Sequence, residues 1–161
     1  MKKTAEISEC GNYRYYLTRE WDESLPLVNF ICLNPSVADA EIDDPTLRRC
    51  MNYAEIWGYG GIIMTNLFAY RATEPMTMLT YKGDVVGPET NQYLLKGAKE
   101  AALCVAGWGN HGMHMDRGSE VIEMLPKLHF LAKTKEGHLR HPLYLTKDLK
   151  PKIIVKLNDC S

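Results

Sequence analysis

The fold follows from residues 29–50, which read NFICLNPSVADAEIDDPTLRRC. The apolar run stops at Asn34-Pro35, and the chain then enters a small loop with two adjacent aspartates. A short apolar run that ends in a turn signal is typical of a buried strand. Because a proline ring restricts the preceding residue to extended conformations, Asn34 does not continue a helix. A buried strand is therefore predicted at residues 27–33.

Short apolar strands alternate with helical segments along the rest of the chain. Further strands are predicted at residues 13–21, 61–68, 102–108 and 128–132, and helices at 45–57, 88–101 and 115–125. The C-terminal IIVKL is predicted either as a strand or as a loosely packed segment. This alternation is typical of a parallel sheet covered on both faces. The predicted fold is a three-layer α/β/α sandwich with a central, mostly parallel four-stranded sheet, plus the aromatic-rich segment 13–21 as an N-terminal antiparallel edge strand.

Composition restricts the class of protein. A chain of 161 residues with 45% hydrophobic residues predicts one globular domain, residues 1–161. With a net charge of -1, the protein has no overall positive electrostatic potential that would attract nucleic acid. No apolar stretch approaches the roughly 20 residues of a membrane span, and the N-terminus lacks the apolar core of a secretory signal. A cytoplasmic protein with no membrane partner is expected, monomeric by default.

The cysteines and histidines do not predict a metal site. The five cysteines are odd in number and contain no CxxC motif. Cys32 and Cys104 lie in predicted strands, where a thiol usually behaves as a small hydrophobic group. His111 and His114 are close in sequence but lack carboxylate support. No metal and no cofactor are predicted, and the GxGxxG, Walker and GxSxG motifs are absent.

Polar residues follow each of the four core strands. Ligands of open α/β sheets bind beyond the carboxyl ends of the strands, so these residues are expected to meet at one pocket. The candidates are Asn34, Pro35 and Ser36 after the first core strand, Asn66, Phe68 and Arg71 after the second, Trp108, Gly109 and Asn110 after the third, and His138, Arg140 and His141 after the fourth.

Two polar candidates lie on the first loop. The Asn34 amide either caps the following segment or holds a water molecule or a ligand carbonyl, since it donates and accepts at once. Asp44 precedes Pro45, which suits the first turn of a helix, so capping is its favoured role. Asp43 then remains as a carboxylate that faces the pocket.

The later strand ends allow two interpretations each. Asn66 either bonds the backbone or binds a planar amide such as a pyrimidine edge. Trp108 is either a core indole or a wall on which a base stacks. A cationic histidine at position 138 or 141 either is merely solvated or stabilises an anion leaving the pocket. Arg71 and Arg140 are placed to meet a phosphate.

Several motifs together resemble a family of bacterial and phage proteins known as domain of unknown function 1643. These motifs are FICLNPSVADAEIDDPTLRRC, TNLFAYRAT, AGWGNHG and HPLYL, which cover nearly the whole chain. The family label implies no activity.

The same residues more distantly resemble the uracil-DNA glycosylase superfamily. That resemblance implies a parallel sheet between helices, with Asn34 in a Pro-containing loop positioning the attacking water. It also implies that Asn66 reads the base and that His141, in a His-Pro motif, stabilises the departing base. Both glycines of the Gly-x-Asn-Pro-Gly loop are replaced, by Cys32 and Ser36. The catalytic residues implied are Asn34, Asp43 and His141.

Three functions are compatible with these residues. The first is an N-glycosidase that removes a modified or mismatched pyrimidine from DNA by water attack after base flipping. The second is a hydrolase of free nucleosides or nucleotides, and the third is a non-catalytic protein that binds nucleotides or nucleic acid. Besides these functions, the residues also fit an interaction module whose buried polar edge is purely structural. A basic patch of Arg48, Arg49, Arg71, Arg140 and Lys147 around the pocket would favour DNA, and an acidic rim would favour a small molecule.

Overall fold

The computed structural model of the chain describes residues 1–155. Seven strands form one sheet: β1 (Lys2–Ile7), β2 (Arg14–Glu20), β3 (Leu27–Cys32), β4 (Gly61–Asn66), β5 (Leu103–Ala106), β6 (Leu128–Phe130) and β7 (Lys152–Ile153). Four α-helices accompany them: α1 (Pro45–Ile56), α2 (Pro75–Thr80), α3 (Thr90–Glu100) and α4 (Arg117–Met124). Two 3-10 helices span Asn110–Asp116 and Pro142–Tyr144.

The strands lie in the order β1-β2-β4-β3-β5-β6-β7. The four predicted core strands, β4, β3, β5 and β6, are parallel to one another. The strand predicted at residues 13–21 is antiparallel to β4, as β2. The prediction of a four-stranded sheet with one edge strand was incomplete, because β1 pairs with β2 and β7 pairs with β6, both antiparallel. Residues 156 and 157 of the IIVKL segment lie outside the described residues.

The two outermost strands carry little hydrophobic signal: β1 was not predicted, and β7 overlaps the IIVKL segment only at Ile153. Five of the six residues of β1 are exposed, and both residues of β7 are exposed. Main-chain hydrogen bonds to a neighbouring strand hold such strands in the sheet, and no apolar face is buried. Their sequences therefore lack the alternation of apolar and polar residues by which a strand is predicted. Helix α2 was likewise not predicted, because it is only six residues long and buries only Met78.

Helices cover both faces of the sheet. Helix α1 packs with Val28, Phe30 and Ile62 in one core cluster. Helices α2, α3 and α4 pack with Ile31 and Ala106 in a second cluster on the opposite face. Neighbouring residues of β3 thus point to opposite sides, as the pleat of a strand requires. Both faces of β3 are buried, which explains its continuous apolar run.

The predicted start of α1 is confirmed. Asp44 is the N-cap residue, and its Oδ1 accepts a hydrogen bond of 2.8 Å from Leu47 N. Pro45 occupies the first turn, where its missing N–H is not needed. The helix therefore begins eleven positions after Asn34, at the end of the loop that also borders the sheet edge.

Gly97 lies within α3, where glycine normally weakens a helix. A Cβ atom at this position would lie 2.9 Å from Asn29 Nδ2. Asn29 is fully buried on β3, where its side chain bonds Thr65 and Cys104. The missing side chain therefore allows α3 to approach the sheet closely.

We expect Gly97→Ala to lower the free energy of unfolding by about 1–2 kcal/mol, because the added methyl group overpacks the Asn29 amide. At an exposed helical position the same change would raise stability by about 1 kcal/mol. Urea denaturation measures the difference, with Gln92→Ala on the exposed side of α3 as the control. A Gly97→Ala protein more stable than wild type would contradict close packing of α3 on β3.

None of the helices within residues 1–155 combines the length and apolar character required to cross a membrane.

Candidate active site

A cavity of about 40 Å³ lies at the carboxyl edge of the parallel strands. We call it the inner cavity. Its wall combines charged, amide and thiol groups with a few apolar side chains: Arg14, Leu17, Cys32, Asn34, Ser36, Ala38, Asp44, Thr46, Leu47, Met64, Asn66 and His141.

A second cavity of about 330 Å³, the outer cavity, adjoins the first. The two share Asn34, Ser36, Thr46 and His141. The remaining wall of the outer cavity contains no lysine, arginine or carboxylate: Leu33, Ala72, Thr73, Pro75, Trp108, Gly109, Asn110 and His111. Residues that follow β3, β4, β5 and β6 therefore meet in one continuous cleft, as their positions after the strands predict.

Asn34 is fixed by its amide nitrogen. Nδ2 donates to Ala72 O at 2.9 Å and to Pro35 O at 3.1 Å. These two bonds set the plane of the amide, while Oδ1 accepts no hydrogen bond from the described residues. The half-buried side chain thus presents a carbonyl oxygen at the junction of the two cavities. Such an oxygen can accept a hydrogen bond from a water molecule or from a ligand N–H.

Two donors of the inner cavity have no partner among the described residues. They are Asn66 Nδ2 and Arg14 Nε. Asn66 is 3% exposed and Arg14 is 4% exposed. Leaving a buried donor unpaired costs about 1–3 kcal/mol, so such atoms commonly mark a place where a ligand or water binds. Both donors call for an oxygen or another acceptor in the inner cavity.

The two adjacent aspartates have different surroundings. Asp43 Oδ1 accepts a 2.9 Å hydrogen bond from Arg19 Nε, and the carboxylate does not line either cavity. Asp44 caps α1 and is the carboxylate that borders the inner cavity. The expectation that Asp43 faces the pocket was wrong. Its carboxylate is paired with the buried guanidinium of Arg19 on β2 and does not border either cavity.

Arg14 and Arg19, both buried on β2, organise the loop between Asn34 and α1. Arg14 NH1 donates to Ala38 O at 2.9 Å. Arg19 NH2 donates to Asp39 O at 2.5 Å, in addition to its pair with Asp43. The path of this loop past the cavity is therefore set by two charged side chains of a neighbouring strand.

His141 is placed by its backbone surroundings. Its Nδ1 accepts a 3.2 Å hydrogen bond from Leu143 N and caps the second 3-10 helix. Gly107, at the end of β5, allows this segment to approach, since a Cβ there would lie 2.9 Å from Pro142 Cδ. With Nδ1 turned to the main chain, Nε2 carries the ring hydrogen whether the ring is neutral or charged. His141 therefore serves as a donor at Nε2.

Cys32 and His141 form a polar pair inside the cleft. The hydrogen bond of the Cys50 thiol lowers the pKa of Cys32, and burial raises it. The hydrogen bond and charge of His141 and the charge of Arg14 lower it further. The pKa of Cys32 therefore lies below its usual value. Burial lowers the pKa of His141, but the hydrogen bond and charge of Cys32 and the charge of Asp44 outweigh burial and raise it. The cap bond from Leu143 opposes protonation, but at 3.2 Å it is long and weak.

This arrangement predicts how His141 responds when the thiol is removed. In Cys32→Ala, burial still lowers the pKa of His141, while the largest opposing influence is lost. We therefore expect the pKa of His141 to fall below its ordinary value of about 6.5, whereas in wild type it lies above that value. The imidazole would then lose its proton at lower pH than in wild type.

A proton NMR titration of the histidine ring signals measures this change. His111, exposed in the outer cavity wall, serves as the internal reference, because its surroundings do not include Cys32. An unchanged His141 titration in Cys32→Ala would show that the thiol and the imidazole do not interact.

The other predicted site residues divide into two groups. Ser36, Gly109, Asn110 and Trp108 line the cleft. The indole of Trp108 is 6% exposed and packs against Gly112, so it is mainly a buried wall. The second group points elsewhere: Pro35, Phe68, Arg71, Arg140 and His138 line neither cavity.

Each residue of the second group has an identifiable surrounding. Phe68 is fully buried and contacts the His114 ring with centroids 5.5 Å apart. Arg71 NH1 donates to Gly11 O at 3.3 Å and borders a surface depression that shares Ser36, Ala72 and Thr73 with the outer cavity. His138 lines a different cavity, which shares Trp108 and Gly109 with the outer cavity. Arg140 is exposed, and buried Pro35 contributes its carbonyl oxygen to the Asn34 amide.

Arg14 and Cys32 are among the cleft residues that were missed from the sequence. Arg14 lies in the aromatic segment YRYY, and nothing in that pattern indicates a guanidinium that is 4% exposed. Cys32 was interpreted as a small hydrophobic residue, although it ends a strand immediately before Leu33-Asn34. Its position directly at the strand end was the signal that it borders a site.

The fold and the cleft define an α/β protein with a polar cavity at the carboxyl edge of a mixed sheet. A family model described as protein of unknown function (DUF1643) matches residues 14–143. Since this match covers more than half of the chain, the chain belongs to that family. The matched segment begins at Arg14 and includes all residues that line the two cavities. No curated protein and no solved structure matches the chain.

Proposed function

We propose that this protein is an N-glycosyl hydrolase that releases a pyrimidine base from DNA, on a sandwich of the uracil-DNA glycosylase type. The observation that carries the proposal is the meeting of Asn34, Asn66 and His141 in one inner cavity. These residues come from separate parts of the chain and were selected as water-positioning, base-reading and leaving-group residues from the sequence resemblance.

The donors of the inner cavity suit the base. A pyrimidine such as uracil presents carbonyl oxygens, and its negative charge increases on these oxygens as the glycosidic bond breaks. Asn66 Nδ2 and Arg14 Nε are buried donors without a partner among the described residues, and His141, which is hydrogen-bonded to Cys32, lies in the same wall. Donors that are already aligned stabilise developing charge in a dry cavity more strongly than water does. The inner cavity therefore favours departure of an anionic base.

Asn34 suits the water. Its Nδ2 is held by two main-chain carbonyls, so Oδ1 is oriented before substrate binds. A water molecule that donates to Oδ1 attacks C1′ of the sugar as the bond to the base breaks. The oxygen of water forms the new bond to C1′, the electron pair of the old bond leaves with the base, and the released proton neutralises the base. Asp44, at the same wall, offers the nearby negative charge that an oxocarbenium-like sugar requires.

The surroundings of the cleft favour a nucleic acid over a free base. No carboxylate lines the outer cavity, so a phosphate is not repelled there. Tyr144 lies in the 3-10 helix that His141 caps, and it is 83% exposed. An exposed aromatic ring can stack on a base or fill the space that a flipped nucleotide leaves in the duplex. Arg49 contacts Leu143 O in the same segment and adds positive charge beside Tyr144.

One observation favours the second candidate, a hydrolase of free nucleosides or nucleotides. None of the five basic residues proposed as a patch lines either cavity, and the chain has a net charge of -1. Tight duplex binding depends on phosphate contacts by lysine and arginine.

A base-release assay distinguishes these functions. Oligonucleotides with uracil, mismatched pyrimidines or modified pyrimidines, single- and double-stranded, are incubated with the protein beside the corresponding nucleosides and nucleotides. The proposal is supported if the protein releases a pyrimidine from an oligonucleotide. It also requires that Tyr144→Ala releases the base more slowly than wild type from double-stranded oligonucleotides, and at the wild-type rate from single-stranded ones. Release only from nucleosides or nucleotides supports the second candidate. No release from any substrate refutes both.

A further inference from the structure

Cys32 differs from the other buried cysteines by its access to the cleft. It is 4% exposed but lines the inner cavity, which continues into the outer cavity. Cys50 and Cys104 line neither cavity. A small solute that enters the cleft can therefore reach the Cys32 sulfur, whereas the walls of the cavity restrict larger reagents.

A second thiol lies directly behind the first. Cys50, fully buried in the first turns of α1, shares a core cluster with Cys32 and is hydrogen-bonded to it. Both are thiols rather than a disulfide. Two thiols in contact, of which one faces a cavity and the other the core, are the arrangement of a reactive cysteine and a resolving cysteine.

The charges around the two sulfurs make them chemically unequal. Arg14, His141 and Asp44 surround the pair from β2, from the segment before the second 3-10 helix and from the N-terminus of α1. The positive groups and the Cys50 hydrogen bond lower the pKa of Cys32. Burial raises the pKa of Cys50, and the neighbouring Cys32 raises it further. The thiolate, which is the nucleophile, is therefore on Cys32, and the proton is on Cys50.

We propose that Cys32 is a peroxide-reactive cysteine, that Cys50 resolves its oxidised form, and that the substrate is a small hydroperoxide such as hydrogen peroxide. The Cys32 thiolate attacks one oxygen of the peroxide. An S–O bond forms, the O–O bond breaks, and hydroxide leaves and takes up a proton from the cleft to become water. The Cys50 thiol then attacks the sulfenic sulfur, so that an S–S bond forms, the S–O bond breaks and a second water molecule leaves. Two thiols are oxidised and one peroxide is reduced.

The experiment exposes the reduced, full-length protein to hydrogen peroxide and maps cysteine peptides under non-reducing conditions by mass spectrometry. We expect one disulfide, between the Cys32 and Cys50 peptides, with loss of both thiols at the same rate. In Cys50→Ser, oxidation should stop at a Cys32 sulfenic acid, which mass spectrometry of the intact protein detects as the addition of one oxygen atom. Cys104→Ser is the matched control, since it removes another buried strand cysteine, and it should form the disulfide as wild type does.

The pH dependence provides a second readout. Because the pKa of Cys32 is lowered, its thiolate persists at pH values where an ordinary thiol is protonated. The rate of Cys32 loss should thus stay nearly constant from pH 8 to pH 6, whereas that of free cysteine falls about tenfold per pH unit. If Cys32 and Cys50 both remain thiols after exposed Cys10 has been oxidised, or if Cys32 loss slows like that of free cysteine, the proposal is wrong.

Discussion

Asn34→Ala is expected to reduce the proposed base release by at least about 100-fold, because it removes the oxygen to which we assign the orientation of the attacking water. The variant also loses the two bonds of Nδ2 to Ala72 O and Pro35 O. Each such bond contributes about 1 kcal/mol, so a modest loss of stability accompanies the loss of rate. Single-turnover assays at a temperature where both proteins are folded separate these two effects.

Asn52→Ala provides the matched control for this prediction. Asn52 is exposed on α1, so the same deletion there leaves the cleft intact. We expect its rate of base release to equal that of wild type. Binding of a product oligonucleotide should be similar in all three proteins, since the role assigned to Asn34 Oδ1 concerns the water rather than the base. An Asn34→Ala protein that releases base at the wild-type rate would remove Asn34 from the mechanism.

Arg19→Met is expected to lower the free energy of unfolding by about 3 kcal/mol. The guanidinium is fully buried and donates to Asp43 Oδ1, to Thr18 O and to Asp39 O. Methionine preserves much of the volume but leaves these acceptors without their donor. The Asp43 side chain is 25% exposed, so solvent compensates for part of the loss. For a chain of this size the change corresponds to a fall in melting temperature of about 6–12 °C.

Arg48→Met is the comparison that isolates the effect of burial. Arg48 is exposed on α1, and its NH1 lies 3.5 Å from Asp43 O, at the limit of a hydrogen bond. Surface substitutions of this kind usually change stability by no more than about 0.5 kcal/mol. Equal stability of the two variants in urea denaturation would show that Arg19 does not anchor the loop between Asn34 and α1.

The parts of the fold that carry a hydrophobic pattern were predicted from the sequence. The stop at Asn34-Pro35 located the end of β3, and the Asp44-Pro45 pair located the start of α1. In both cases the conformational restriction imposed by proline is local, so it acts in the same way in any fold. Strand β1 was missed because its stability derives from pairing with β2, and sequence periodicity does not report pairing.

Of the residues in the cleft, the sequence predicted those whose position follows directly from the end of a strand. Asn34 and Asn66 come directly at or after the ends of two neighbouring parallel strands, so topology alone brings them together. The capping role of Asp44 was predicted, but the direction of the Asp43 carboxylate was not, because it depends on Arg19, a buried charge on the neighbouring strand β2. Likewise, His138 and His141 are three positions apart, but the turn at Gly137, with a φ of 86°, directs His138 to another cavity.

A crystal structure of the protein with a released pyrimidine and an oligonucleotide carrying an abasic site tests the central claim most directly. The account predicts the base in the inner cavity, with its carbonyl oxygens within about 3 Å of Asn66 Nδ2 and of His141 Nε2. It also predicts the abasic sugar beside Asn34 Oδ1. A base bound on another surface, or an inner cavity that contains only water while the oligonucleotide is bound elsewhere, would contradict the account.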